Sequence, residues 1–178
     1  MKKITDIAHD FLLEAMNEKS IAVDFTAGQG YDTLFLANHA QKVIAYDIQL
    51  EAVTQTKALL EEHHCQNVVL LHKSHERVEE DVECFDIGIF NLGYLPHGNE
   101  NITTDGDTVI RTLKKALNLL AGKGRIVLVL YPGFEAGKKE SEQVEAFCAQ
   151  LPSKQYDTAK LIMTNRKNCP YMMIIDKH

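Results

Sequence analysis

The chain has 178 residues, 45% of them hydrophobic and 25% charged, which suits one domain with a full core. No apolar run approaches membrane-spanning length, no signal peptide is visible at the polar, amphipathic start, and the four cysteines form no C-x-x-C pair, so a soluble, cytoplasmic protein with free thiols is expected. The net charge of −6 argues against nonspecific nucleic-acid binding, which draws on lysine and arginine against phosphate, although it leaves room for a local basic face.

Strand-like and helix-like segments alternate without repeat or linker, which predicts an α/β fold with a parallel sheet, residues 1–178 forming a single domain. Ile4, Ile7, Ala8, Phe11, Leu12 and Ala15 share one face of an amphipathic helix over 4–17. Then follow a strand over 21–25, a helix over 31–38, a strand over 42–46, a helix over 50–62 and a strand over 68–71. Ser74 reads as the N-cap of a short helix holding Glu76, Arg77 and Glu79. A strand over 85–90 precedes a long helix over 103–120, ended near Gly122 and Gly124. A strand over 125–131 and a helix over 138–150 complete the alternation. Two last strand-like runs, 156–163 and 171–175, are joined by a loop without room for a helix, so they pair antiparallel. The expected architecture is a Rossmann-like, seven-stranded, mostly parallel sheet with helices on both faces, closed by an antiparallel C-terminal hairpin. That is the architecture of class I methyltransferases.

The first strand ends in Asp24, breaks into a glycine turn at Gly28 and Gly30, and enters a helix. Such a turn lets a ligand approach the backbone, and the helix aims free amides at it. The second strand also ends in an acid, Asp47, whose carboxylate can accept both hydroxyls of a ribose. A dinucleotide or S-adenosylmethionine would lie across these strand ends. The dinucleotide fingerprint needs a third glycine where Thr33 stands, and Asp24 would repel a pyrophosphate. The ammonium and sulfonium of S-adenosylmethionine suit an acidic turn instead. Thr26, Asp32, Thr33, Gln49 and Asn91 join Asp24, Gly28, Gly30 and Asp47 as expected cofactor contacts. Ser74 and His75 fall where class I methyltransferases hold the adenine, and His9 could cover the methionine end. No metal is expected: His63 and His64 point apart at a helix end, and no second ligand pair sits at zinc spacing.

The fourth strand runs into Asn91-Leu-Gly-Tyr-Leu-Pro-His-Gly-Asn99, where the reacting atom should sit. This string resembles the N-P-P-Y motif of methyltransferases acting on amino groups, with Leu92 and Gly93 in place of the two prolines. Asn91 Oδ1 and the Leu92 carbonyl can accept amine hydrogens and so aim the lone pair at a methyl group. Tyr94 offers a face on which a base can stack, and Gly93 allows close approach. Asn91 and Tyr94 are therefore the expected catalytic pair. A neutral amine needs no strong base, whereas an oxygen nucleophile would call for one, such as His97.

With these pieces placed, Asp24-Phe-Thr-Ala-Gly-Gln-Gly-Tyr-Asp-Thr-Leu-Phe-Leu-Ala37, Ser74-His-Glu76, Asn91-Leu-Gly-Tyr-Leu-Pro96 and Tyr131-Pro-Gly133 resemble a family of small bacterial methyltransferases labelled "putative rRNA methylase". Members of that family act as a tRNA methyltransferase at the wobble uridine, converting 5-aminomethyl-2-thiouridine at position 34 to its methylaminomethyl form. The resemblance implies that the Thr103-Thr104 and Tyr131-Pro-Gly133 loops line the substrate mouth, with Leu92, Gly93, Tyr94, Pro96, Thr104 and Tyr131 as substrate contacts. It implies tRNA as partner, and a homodimer would ease the acidic net charge. A methyltransferase for an rRNA base or a small amine, a cofactor-binding protein without catalysis, and a dehydrogenase stand as the alternatives.

Overall fold

The structure is a computed structural model that describes residues 1–93 and 105–178. Its elements in chain order are α1 (Ile4–Ala15), β1 (Ile21–Asp24), α2 (Tyr31–Ala37), β2 (Lys42–Asp47), α3 (Leu50–Glu62) and β3 (Val68–His72). A 3₁₀ segment (His75–Glu80), β4 (Phe85–Leu92), α4 (Gly106–Leu119), β5 (Leu120–Leu130), α5 (Glu135–Ala149), β6 (Tyr156–Leu161) and β7 (Tyr171–Lys177) follow.

The seven strands form one sheet in the order β3-β2-β1-β4-β5-β7-β6. The first five neighbours run parallel, and β7 runs antiparallel to both β5 and β6. The expected mostly parallel sheet closed by an antiparallel hairpin is therefore the observed one. Period-two alternation sorts the strand side chains between two cores. Ile126, Leu128 and Leu130 of β5 join Val23 and Phe90 under α4 and α5. Val127 and Val129 join Ala22 and Ile89 under α1 and α2. Both faces are covered, as the near-continuous apolar runs of β4 and β5 require. Strand order reverses beside β1, which separates β2 from β4, and ligands of open α/β sheets bind outside the strand ends at such a point.

Two expectations need correction. The helix expected over 103–120 with a glycine stop ends at Leu119, and Leu120 is already extended and paired with Phe85. Gly122 and Gly124 lie inside β5, where the register with β4 jumps between Phe85 and Ile87. A Cβ at Gly124 would stand 2.8 Å from the Asp86 carbonyl oxygen, so this glycine serves a close strand approach, not a helix cap. The helix expected from 138 begins at Glu135, because Gly137 lets its first turn close on the Tyr131 carbonyl and the Phe134 ring.

Gly30 shows how tightly the turn after β1 is held. It caps α2 with φ +88°, and a Cβ there would sit 2.9 Å from Thr56 Cα on α3. Left-handed backbone costs a non-glycine residue about 1–2 kcal/mol before any clash is counted. Gly30→Ala should therefore lose about 2 kcal/mol or more of unfolding free energy in a urea titration. A loss below about 0.5 kcal/mol would mean that the turn relaxes freely.

Candidate active site at the strand ends

The site grows from the end of β1. Asp24 is fully buried, and its Oδ1 accepts the Thr26 amide at 3.0 Å while Oδ2 accepts the Thr33 hydroxyl at 2.5 Å. One carboxylate thus ties the strand, the turn and the first residues of α2 together. The Ala27 amide donates to the Tyr46 carbonyl at 2.9 Å, which docks the turn on β2. Gly28, at φ +54°, donates its amide to Asp47 Oδ2 at 2.9 Å, and the Gln49 amide donates to Asp47 Oδ1 at 2.9 Å. Each Asp47 oxygen keeps a further lone pair, so the carboxylate is aimed by two amides and still able to receive a diol.

The end of β4 is fastened to the same turn. The Asn91 amide donates to Thr26 Oγ1 at 2.7 Å, and Asn91 Nδ2 donates to Asp32 Oδ2 at 3.0 Å. The other Asp32 oxygen meets His9 Nε2 at 2.6 Å, and the His9 ring stacks on Phe35 with centroids 3.8 Å apart. The Tyr131 phenol hydrogen-bonds the Asn91 side chain, and burial, with the negative Asp32 nearby, pushes its pKa up to about 12. Four elements therefore converge on Asn91 and Asp32: α1, α2, β4 and the residue after β5.

Between these ends lies a cavity of about 990 Å³. His9, Thr26, Gly28, Asp32, Asp47, Gln49, Ser74, His75, Asn91, Gly93 and Tyr131 all line it. His75 closes one side, stacked edge-on against Phe25 and Phe90. Its Nδ1 lies 2.7 Å from the Thr112 hydroxyl, whose single proton is donated to the Thr108 carbonyl at 3.0 Å. Thr112 can then only accept, so Nδ1 carries the proton and Nε2 is left as an acceptor. Burial lowers the His75 pKa to about 4, which keeps this ring neutral at physiological pH.

Four expected contacts are placed elsewhere. Asp24, Gly30, Thr33 and Leu92 do not line the cavity. Asp24 and Thr33 are spent on each other beneath it, and Gly30 turns the chain against Thr56. The Leu92 side chain belongs to the core, which leaves only its backbone for a ligand. Tyr94, Pro96, His97, Thr103 and Thr104 lie outside the described residues. Sequence reading passed over Ile48 and Tyr31, both large, exposed and on the cavity wall, although each directly follows a named motif residue or glycine. It also missed the His9–Asp32–Asn91 chain, whose members are 23 and 59 residues apart and leave no local signal.

The donor set suits S-adenosylmethionine. Asp32 and Asp47 make the floor acidic, which favours a sulfonium and an ammonium. Asp47 offers paired lone pairs to a diol, Ile48 an apolar face, and His75 Nε2 an acceptor suited to an exocyclic amine.

The chain is similar to known proteins along its whole length. Residues 43–177 match the family model described as "Putative rRNA methylase". Over 99% of its length the chain is 35% identical to an Arabidopsis thaliana "tRNA (mnm(5)s(2)U34)-methyltransferase, chloroplastic", and the match spans 70% of that protein. A solved "putative rRNA-methylase" from Clostridium thermocellum is 32% identical, with a TM-score of 0.96 over 100% of this chain and 99% of that one. A solved "putative methyltransferase" from Streptococcus mutans, in complex with SAH, is also 32% identical, with a TM-score of 0.93 over 100% and 99%. The cofactor is S-adenosylmethionine.

The Asp24 carboxyl is pushed from 3.8 up to about 7, first by burial, then by Asp32, against the pull of the Thr33 and Thr26 hydrogen bonds. A raised acid makes the folded chain bind more protons than the unfolded one, so this contribution to stability is full below about pH 4 and lost as pH rises through about 7. Asp24→Asn, which cannot ionise, should therefore gain stability relative to the parent between about pH 4 and about pH 7 in urea titrations of the cofactor-free protein. A difference that stays constant with pH would show that Asp24 ionises as freely folded as unfolded.

Proposed function

The chain belongs to the family described as "Putative rRNA methylase", and on that premise we propose that this methyltransferase modifies tRNA at the wobble uridine. The substrate would be the primary amine of 5-aminomethyl-2-thiouridine, and the product its methylaminomethyl form. One observation carries the reading. Asn91 is held at the cavity by Thr26 and Asp32 within a chain that is 35% identical, across 99% of its length, to a tRNA methyltransferase of that name.

In this reading Asp47 holds the ribose hydroxyls of S-adenosylmethionine, and Gly28 and Gln49 hold Asp47. His75 Nε2 accepts from the adenine amino group. Asn91 Oδ1 receives an amine hydrogen of the substrate, and Gly93 leaves room for the amine to approach. The cofactor supplies a methyl group on a positive sulfur, and the residues named here bind, orient and exclude water. Tyr94, Pro96 and Thr104 remain proposed substrate contacts. Arg166 and Lys167, exposed in the β6–β7 loop beside Asn168 and Pro170 of the cavity wall, would meet backbone phosphate. No described helix is long and apolar enough to cross a membrane, and a cytoplasmic location is part of the proposal. So is a homodimer, which would bring basic surface from two chains to one tRNA; a monomeric mass at full activity would remove it.

Labelled S-adenosylmethionine and bulk tRNA from a strain lacking this protein should yield label in 5-methylaminomethyl-2-thiouridine. Label in rRNA or a small amine only would replace the tRNA reading. Within the site, Asp47→Ala should weaken S-adenosylmethionine binding at least tenfold by calorimetry, since a hydrogen bond to a charged group contributes about 1.5–3 kcal/mol. Asn91→Ala should bind the cofactor normally and turn over about 10²-fold more slowly. Turnover near the parent's would give the amine another holder.

A further inference from the structure

The proposed substrate raises a problem of protonation. An alkylamine resembles the lysine side chain, which titrates near about 10, so at neutral pH it arrives mostly as an ammonium without a lone pair. Methyl transfer then has to be preceded by loss of one proton, and some group at the cavity has to take it.

Four of the cavity groups are otherwise engaged. Asp47 accepts from the Gly28 and Gln49 amides and gives its remaining lone pairs to the ribose hydroxyls in this reading. Tyr131 keeps its proton up to about pH 12. His75 is buried and already spends Nδ1 on Thr112. Lys73 is paired with Asp81 at 2.5 Å. His9 differs from all of these. Its Nε2 lies 2.6 Å from Asp32 Oδ1, its ring is fixed flat on Phe35, and its side chain keeps 21% exposure at the cavity wall. A carboxylate on one imidazole nitrogen fixes that nitrogen as the N–H, leaves the other with a lone pair, and stabilises the imidazolium that forms. Among the described residues, Nδ1 has no hydrogen-bond partner. The second Asp32 oxygen holds Asn91, so the oriented imidazole and the amide assigned to the amine share one carboxylate.

We propose that His9, oriented by Asp32, is the general base that takes a proton from the ammonium of the substrate. The proposal rests on the reading of that substrate as a primary alkylamine on tRNA. One N–H bond of the ammonium breaks, its electron pair stays on nitrogen as the attacking lone pair, and the proton passes to His9 Nδ1. The partly exposed side chain then returns it to solvent, so each methyl transferred releases one proton. Asp32 from α2 touches His9, and Tyr131 after β5, Asp6 on the same helix and Lys3 at that helix's N-cap line the cavity with it. Asp24 lies behind Asp32, and His39 lies against Phe35.

Gln at position 9 can keep a donor on Asp32 but cannot accept a proton, so His9→Gln separates the base from the brace. The test is single-turnover methyl transfer to amine-bearing tRNA across pH, with calorimetric affinity for S-adenosylhomocysteine measured on the same proteins. His9→Gln should bind S-adenosylhomocysteine as the parent does and transfer methyl about 10²-fold more slowly near neutral pH. That deficit should shrink as pH rises, because the free amine then needs no base. Asp32→Asn, which removes the orienting charge and keeps the side-chain size, should show the same shrinking deficit. Rates for His9→Gln that match the parent's, or that fall by one constant factor at every pH, would overturn the proposal. A parent protein that binds S-adenosylhomocysteine and labels no tRNA would overturn the substrate reading instead.

Discussion

Burying a carboxylate at the end of the central strand is costly, and the geometry of the site depends on how that cost is met. Asp24 has no solvent, so its two oxygens are satisfied by the Thr26 amide and the Thr33 hydroxyl. Those two bonds dictate the path of the turn and the start of α2. The turn in turn presents Thr26 Oγ1 to the Asn91 amide and the Gly28 amide to Asp47. Three strand ends are thereby placed relative to one another by a network whose root is one buried acid. Its raised pKa is the expense of that arrangement, and a positive ligand above the turn would relieve it.

Charge is distributed with the same economy. Three aspartates surround the glycine turn, yet they do different work. Asp24 is structural, Asp47 is aimed at the cavity by two amides, and Asp32 bridges a histidine and an asparagine. The opposite wall is kept neutral by burying His75 against Phe25 and Phe90. A cavity acidic at its floor and uncharged at its side suits a cationic cofactor that ends in a neutral purine. The same acidity disfavours free phosphate at the cavity floor.

Much of the fold was legible because it follows from local chemistry. Apolar runs flanked by glycine or polar turns marked the strands, and the short 164–170 loop forced an antiparallel end. The Ser74 cap was readable and holds, its hydroxyl accepting the Glu76 amide. The failures have physical causes. Gly122 and Gly124 resemble a helix stop, but both lie in β5, and the close approach at Gly124 is to the Asp86 carbonyl of β4, which no local window contains. Asp24 was read as a ligand-facing acid because a strand-end acid beside a glycine turn looks alike whether it points up or in.

The sequence by itself determined the α/β alternation, the glycine turn, the two strand-end acids and the Asn91 string, because each is a pattern within a few residues set by backbone freedom or side-chain period. From those it also determined the kind of cofactor, since charge and spacing alone separate a sulfonium from a pyrophosphate. Only the tertiary structure decided which acid faces the cavity, which His75 nitrogen is free, and that His9 meets Asp32 and Asn91. Those are matters of direction and of contacts across dozens of residues, and they are settled by how α1 and α2 pack on the sheet, which no local pattern encodes.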